Sequence, residues 1–309
     1  MIPEIGRRTF LKRVGQAGGL VVAGGTLESF LAACGGNVGS GATTPTPGVT
    51  PIGNAGLKTP GYLQWGADFV SGAPYVFKDP KNPANLIGFE VEIMQAVANS
   101  MGVTQRQIET CYGQLDQALA ANNFDFVFNG WEATSERAKT QLFSDPYYRY
   151  GQQMVVRSDD PRYTQYNANS DLSLSVLYGG TVGTGDGYRA ATILQGFPQI
   201  TTKLYTGNLP FDDVKQKKLD ATFLDFPIVA YYVLGAGPGG TPDPALKSIG
   251  KPIYPDVYIA GFNKSNPNAS TVLNELNQAI ARLKKDGTLK KIYTTWKMWN
   301  DQQAQIGIV

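Results

Sequence analysis

From Gly61 onward the chain alternates short apolar runs with segments of helical period, and it does so twice. GYLQWGAD, QIETCYG and DFVFNG read as strands, with helices in IGFEVEIMQAVANSMGV and LDQALAANN between them and a helical turn in SERAKT after them. In the first helix Phe89, Ile93, Met94, Val97 and Met101 recur on one face, and Gly102 stands where such a helix stops. The alternation restarts after QQMVVRSD: strands TVGTGDG, TTKLYTG and ATFLDF alternate with helices YRAATILQGF, DDVKQKKLD and PIVAYYVLG. Such a pattern predicts α/β architecture, with mostly parallel sheets covered by helices on both faces. DVYIAGF gives a last strand. Val272, Leu273, Leu276, Ile280 and Leu283 then share a helical face, which is interrupted at Asp286-Gly287 before LKKIYTTWKMW. No fixed-period repeat is present, which excludes solenoids and propellers.

The first 33 residues read as an export signal. Arg7 and Arg8 in GRRTFLKR precede a weakly apolar, Gly-rich run that carries Gln16 and Glu28 and makes a poor membrane span. RRTFLK resembles a twin-arginine export motif. Leu31-Ala32-Ala33-Cys34 resembles a lipobox, in which Cys34 is lipidated and becomes the mature N-terminus. Residues 34–60, rich in Gly, Thr and Pro, then read as a flexible linker with a reach of roughly 25–30 Å. An extracytoplasmic protein held to the membrane by the lipid on Cys34 is the expectation.

Charge and composition exclude several functions. Removing residues 1–33 takes away four basic and two acidic residues, so the formal charge of +2 falls to zero. Counterion-release binding to nucleic acid then has no driving force. The chain contains no His, which rules out Ser-His-Asp and Cys-His nucleophile systems, HExxH sites and His-ligated zinc. Cys111 is the only thiol besides Cys34, so there is no disulfide framework. No metal or cofactor is expected.

In open α/β sheets ligands bind beyond the carboxyl ends of the strands, so the residues just after each strand carry the information. They are Asp68, Tyr112, Asn129-Gly130-Trp131-Glu132, Asp186-Gly187-Tyr188-Arg189 and Asp225. Six segments in order carry a resemblance that spans residues 61–300: Gly66-Ala67-Asp68; IGFEVEIMQAVANSMGV; DFVFNGWEATSERA followed by FSDPYY; GTVGTGDG; LDATFLDFPIVAYYV; and DGTLKKIYTTW. Together they resemble the type II periplasmic solute-binding proteins of ABC importers, in the polar amino acid family. That resemblance implies two α/β lobes, residues 61–151 plus 256–309 and residues 152–255, that close on a ligand. It implies no enzymatic reaction, and as partners a free amino acid, a membrane permease and its ATPase subunits.

The resemblance also implies roles. Arg137 stands where the family's Arg takes the ligand α-carboxylate, and Asp225 where a carboxylate takes the α-ammonium. Tyr112 matches a stacking aromatic, Asp68 a residue that reaches a cationic side chain, and Trp131 a pocket wall or an inter-lobe packing residue. Two positions depart from the pattern: Glu132 replaces the usual Ser or Thr, and Tyr188 and Arg189 replace a hydroxyl pair. With Arg137 and Asp225 matched to the ligand backbone, Asp68 and Glu132 are surplus carboxylates. They favour arginine, lysine, ornithine or histidine. Pairing of Glu132 with Arg189 would instead leave room for a neutral polar amino acid. The rival functions are a cyclohexadienyl dehydratase-like enzyme with Glu132 as general acid, and a tethered amino acid sensor.

Overall fold

The computed structural model describes residues 51–309 apart from residue 71. The expected export signal, Cys34 and the first part of the linker lie outside the described residues. Two five-stranded sheets organise the rest. The first half contributes β1 (Tyr62–Ala67), the small hairpin β2 (Phe77–Lys78) and β3 (Leu86–Ile87), α1 (Phe89–Met101), β4 (Thr104–Glu109), α2 (Leu115–Ala120), β5 (Phe126–Val127), α3 (Arg137–Thr140) and β6 (Gln141–Phe143). The second contains β7 (Tyr148–Arg157), β8 (Thr181–Gly185), α4 (Arg189–Leu194), β9 (Thr201–Tyr205), α5 (Phe211–Lys215), β10 (Ala221–Asp225), α6 (Phe226–Tyr232) and β11 (Leu246–Tyr258). The chain then returns to the first sheet with β12 (Gly261–Asn263), α7 (Ala269–Lys285) and α8 (Thr288–Thr295).

The strand orders are β4-β1-β5-β12-β6 and β11-β7-β10-β8-β9. In each sheet four strands run one way and one, β12 or β7, runs against them. Each sheet is therefore mostly parallel, the α/β class expected. The central strands are buried along nearly their whole length, as layers on both faces require: β1 from Leu63 to Ala67 and β10 throughout. Gly66 in β1 has a packing cause, because a Cβ there would lie 2.3 Å from the Phe124 ring. The apolar stripe of α1, Phe89, Ile93, Met94, Val97 and Met101, is buried, and Gly102 ends the helix in the left-handed region at φ 71°. α1 packs with α7 and α8.

β7 and β11 are the strands by which the chain enters and leaves the second sheet. The boundaries expected at 151/152 and 255/256 fall inside them, since their pairing runs from Tyr148↔Tyr258 to Arg157↔Leu246. Most of β11 was not legible as a strand. It carries Gly250, Pro252 and Pro255, which an edge strand tolerates, and its register slips between Ile249 and Ile253 and again before Asp256. The first slip is bridged by the buried Gln153, whose Nε2 donates to the carbonyls of Ile249 and Gly250, both at 2.8 Å. DVYIAGF, read as one strand, is instead the end of β11 followed by β12.

Within the segment read as linker, the described residues pack on the first lobe. The Ile52 amide donates to the Ser100 carbonyl at 3.0 Å, and Leu57 is buried. The Lys58 amide donates to Asp125 Oδ1 at 2.7 Å, beside the Gln64 amide on Oδ2 at 2.8 Å. A chain that begins at Gly61 instead of Pro51 loses the burial of Leu57 and one of the donors to Asp125. Together these are worth about 2–4 kcal/mol, so we expect it to melt several degrees lower in scanning calorimetry. Equal melting temperatures would show that the segment adds no stability.

Candidate functional site

The carboxyl ends of the parallel strands deliver the site. Asp68 follows β1, Tyr112 follows β4, Asn129, Gly130 and Glu132 follow β5, Tyr188 follows β8, and Asp225 is the last residue of β10. Together with Gly72, Tyr75 and Ile228 they line a cleft between the two sheets. Across it the Tyr112 and Tyr188 rings meet edge to face, with centroids 5.3 Å apart. The sequence reading missed Gly72, Tyr75 and Ile228, which lie in a turn-rich stretch and in the first turn of a helix.

The β5 loop is fixed from beneath. Gly130 has φ +56°, and a Cβ there would lie 2.8 Å from the Tyr75 ring, so both backbone and space call for glycine. Its amide donates to Glu90 Oε1 at 2.7 Å, which also accepts the Tyr147 hydroxyl at 2.5 Å. Glu90 is fully buried at the start of α1. Burial pushes its carboxyl from an ordinary 4.5 to about 8, against the hydrogen bonds from Tyr147, Gly130 and Asn129. Asn129 Oδ1 accepts the Asp68 amide at 2.9 Å. The Asp68 carboxylate accepts the amides of Val70 at 2.8 Å and Tyr112 at 3.1 Å, which ties the loops after β1 and β4 together.

Asp225 is buried and well supplied with donors. Tyr258 donates to its Oδ2 at 2.5 Å, Gln152 Nε2 to its Oδ1 at 2.7 Å, and the Tyr75 hydroxyl lies 3.5 Å from Oδ2 and 2.8 Å from the Tyr258 hydroxyl. Burial raises its pKa from 3.8 to about 6; the donors oppose the rise and the charge of Asp256 adds to it. Gln152 is the register partner of Asp225 on β7. One signal could have found this cluster: Tyr148, Tyr150 and Gln152 alternate with period two and so share a face of β7.

Glu132 is buried too, and its partner is Arg137. Arg137 Nη1 lies 3.1 Å from the Glu132 carbonyl oxygen and 3.4 Å from its Oε2, while Nε lies 3.4 Å from Asp116 Oδ2. The guanidinium sits 3.2 Å from the centre of the Trp131 ring. Trp131 is fully buried and donates its indole N–H to Gln141 Oε1 at 3.0 Å, and Gln141 in turn donates to Asp116 at 2.6 Å. Tyr150 donates to Glu132 Oε1 at 2.9 Å. Burial first, then the negative charge of Asp225, raise the Glu132 carboxyl from 4.5 to about 8, against the pull of Arg137 and Tyr150. Arg189 takes a different partner, Asp256 Oδ2 at 3.1 Å, and is more than a third exposed. Trp131, Arg137 and Arg189 are absent from the cleft lining.

The lining thus presents three carboxylates, Asp68, Glu132 and Asp225, with the rings of Tyr75, Tyr112 and Tyr188, and no Lys or Arg. Among the described residues there is no cluster of His, Cys, Asp and Glu placed to hold a metal ion, and no helix long and apolar enough to cross a membrane.

The sequence profile of the bacterial extracellular solute-binding proteins, family 3, matches residues 69–298. A putative ABC transporter arginine-binding protein 2 of Escherichia coli (strain K12) is 26% identical over 233 residues, 72% of this chain and 86% of that protein. A probable amino-acid-binding protein, YxeM, of Bacillus subtilis (strain 168) is 29% identical over 227 residues, 72% and 80% of the two chains. Among solved structures, an ancestral arginine-binding protein bound to arginine superposes with a TM-score of 0.64 at 28% identity, covering 76% of this chain and 98% of that one. An ancestral amino acid-binding protein described as a precursor of cyclohexadienyl dehydratase does so with a TM-score of 0.64 at 26% identity, over 76% and 95%.

The raised carboxyl of Glu90 has a consequence for stability. The folded chain keeps a proton there that the unfolded chain releases above about 4.5, so this contribution is full at low pH and is lost as pH rises through about 8. Glu90→Gln, a neutral isostere, keeps an acceptor for Gly130 and does not titrate. The melting advantage of the natural chain over this variant should be largest near pH 5 and shrink toward pH 8. Parallel melting curves for the two proteins across that range would refute the assignment.

Proposed function

Because the chain belongs to the bacterial extracellular solute-binding proteins of family 3, we propose that it is the receptor of an ABC importer for a cationic solute of the arginine and lysine class. The observation that carries this reading is the cleft lining: three carboxylates and three tyrosine rings with no basic side chain. The names of the relatives, arginine-binding proteins among them, support it.

In this reading the first lobe offers Asp68, Tyr112 and Glu132 to the solute, and the second offers Tyr188 and Asp225. A solute that touches both sets only when the lobes are together shifts the hinge equilibrium toward the closed form. The hinge is β7 and β11. The closed form is what a permease would recognise, its ATPase subunits supplying the work. The lipobox-like sequence ending at Cys34 supports a lipid-anchored protein on the outer side of a membrane, with the solute delivered from outside. The relatives found are named as binding proteins, and we assign no reaction to the chain.

Titration calorimetry with an amino acid panel tests the reading. Arginine and lysine should bind at least tenfold more tightly than glutamine or glutamate, and the reverse order would sink it. Protons provide a second signature. Burial holds Glu132 near about 8 and Asp225 near about 6. A bound cation favours their ionised forms, so binding should release protons and affinity should rise with pH between those values. Calorimetry in buffers of different ionisation enthalpy reads this directly; proton uptake on binding would count against a cationic ligand.

A further inference from the structure

We propose that Glu132 occupies, from within the chain, the place on Arg137 that a solute carboxylate would need, so that the cleft prefers cationic amines without a carboxylate over the corresponding amino acids. The inference rests on the reading of this cleft as the solute site and narrows the class of solute.

Three observations carry it. The first is the enclosure of Arg137. One face of its guanidinium lies on Trp131, Nε points to Asp116, and Nη1 is shared between the carbonyl and the carboxylate of Glu132. Arg137 does not line the cleft; Glu132 does. An incoming carboxylate meets the Glu132 carboxyl group before it meets the cation.

The second is the other guanidinium near the site. Arg189 is engaged by Asp256 and also stays out of the lining. A solute carboxylate would therefore enter beside the Glu132 carboxyl and near the acids Asp68 and Asp225, with no cation in the lining to receive it. Leaving a charge desolvated and unpaired is strongly unfavourable, and like charges at short range add to the penalty.

The third is what the lining does offer. Tyr112 and Tyr188 meet edge to face across the cleft, and Tyr75 reaches toward Asp225. Aromatic walls beside buried carboxylates suit an ammonium or guanidinium on an alkyl chain. Such a solute pairs with Glu132 and Asp225 and asks nothing of Arg137. Glu132 is then a specificity-determining residue: one carboxylate that both shields the guanidinium and binds the cation.

Matched pairs differing only in the carboxylate test this by calorimetry on the purified protein: agmatine with arginine, cadaverine with lysine, putrescine with ornithine. In at least one pair the amine should bind tenfold or more tightly than its amino acid. Glu132→Ser opens Arg137 to the cleft, and Glu132→Gln keeps the size without the charge. In either variant the amino acid should gain affinity and the amine lose it, inverting the preference, with melting curves and circular dichroism confirming a folded protein. If neither variant folds, the matched pairs on the natural chain decide alone. Equal affinities within every pair, or tighter binding of the amino acids, overturn the inference and leave the cationic reading standing. Binding of no member of any pair overturns both.

Discussion

A carboxylate at the buried end of a sheet strand must find donors, and Asp225 finds them on the two strands by which the chain enters and leaves the second sheet. Gln152 lies opposite it on β7, and Tyr258 is the last residue of β11. Tyr75, from the first lobe, lies close to Asp225 and hydrogen-bonds Tyr258. The Tyr258 ring also stacks on Tyr150 at 4.0 Å, and Tyr150 holds Glu132. Slipping the β7 and β11 pairing by one residue would turn these side chains to the other face and strand two buried acids. An unsatisfied buried group of this kind costs about 1–3 kcal/mol, and more if charged. The joining of the lobes and the shaping of the cleft are thus accomplished by the same residues.

The placement of the cations follows a similar economy. Arg137 is balanced within the first lobe by Asp116 and Glu132, and Arg189 by Asp256 at the end of β11. Each guanidinium is held by carboxylates and kept out of the lining, so no basic side chain faces the cleft. The Glu132 carbonyl oxygen and the Asp116 carboxylate hold Arg137 as well, so it keeps partners whether or not the Glu132 carboxyl is ionised. The stack on Trp131 and the brace of Gln141 on both Trp131 and Asp116 fix it further.

Much of this was legible in the sequence. The alternation of apolar strands and periodic helices gave the two α/β units, and the rule that ligands sit beyond strand ends pointed to Asp68, Tyr112, Glu132, Tyr188 and Asp225, all of which line the cleft. What escaped has physical reasons. β11 is an irregular edge strand containing Pro252 and Pro255, so no period survives in it. Tyr75, Tyr150, Gln152 and Tyr258 come from a turn and from strand faces whose partners are set by register, which a sequence does not print. Glu90 lies in the first turn of an amphipathic helix, where an acidic residue carries no signal of its own. Only the folded chain brings it under Gly130, because the contact joins α1 to the β5 loop across 40 positions.

The sequence leaves the partner of Glu132 open, with Arg189 one of the candidates, and the family resemblance gives Arg137 to a solute. Chain connectivity favours the outcome seen. Glu132 and Arg137 lie five residues apart on one ordered loop, so their encounter needs no loss of translational freedom. A free solute gives up about 4–15 kcal/mol of such freedom on binding before any contact is credited. To displace Glu132, a solute carboxylate would have to overcome that disadvantage and also bring its charge toward Asp225, whose own charge already raises the pKa of Glu132. A guanidinium next to a tethered acid is therefore a different recognition element from the same guanidinium alone. One substitution five residues upstream is enough to make that difference.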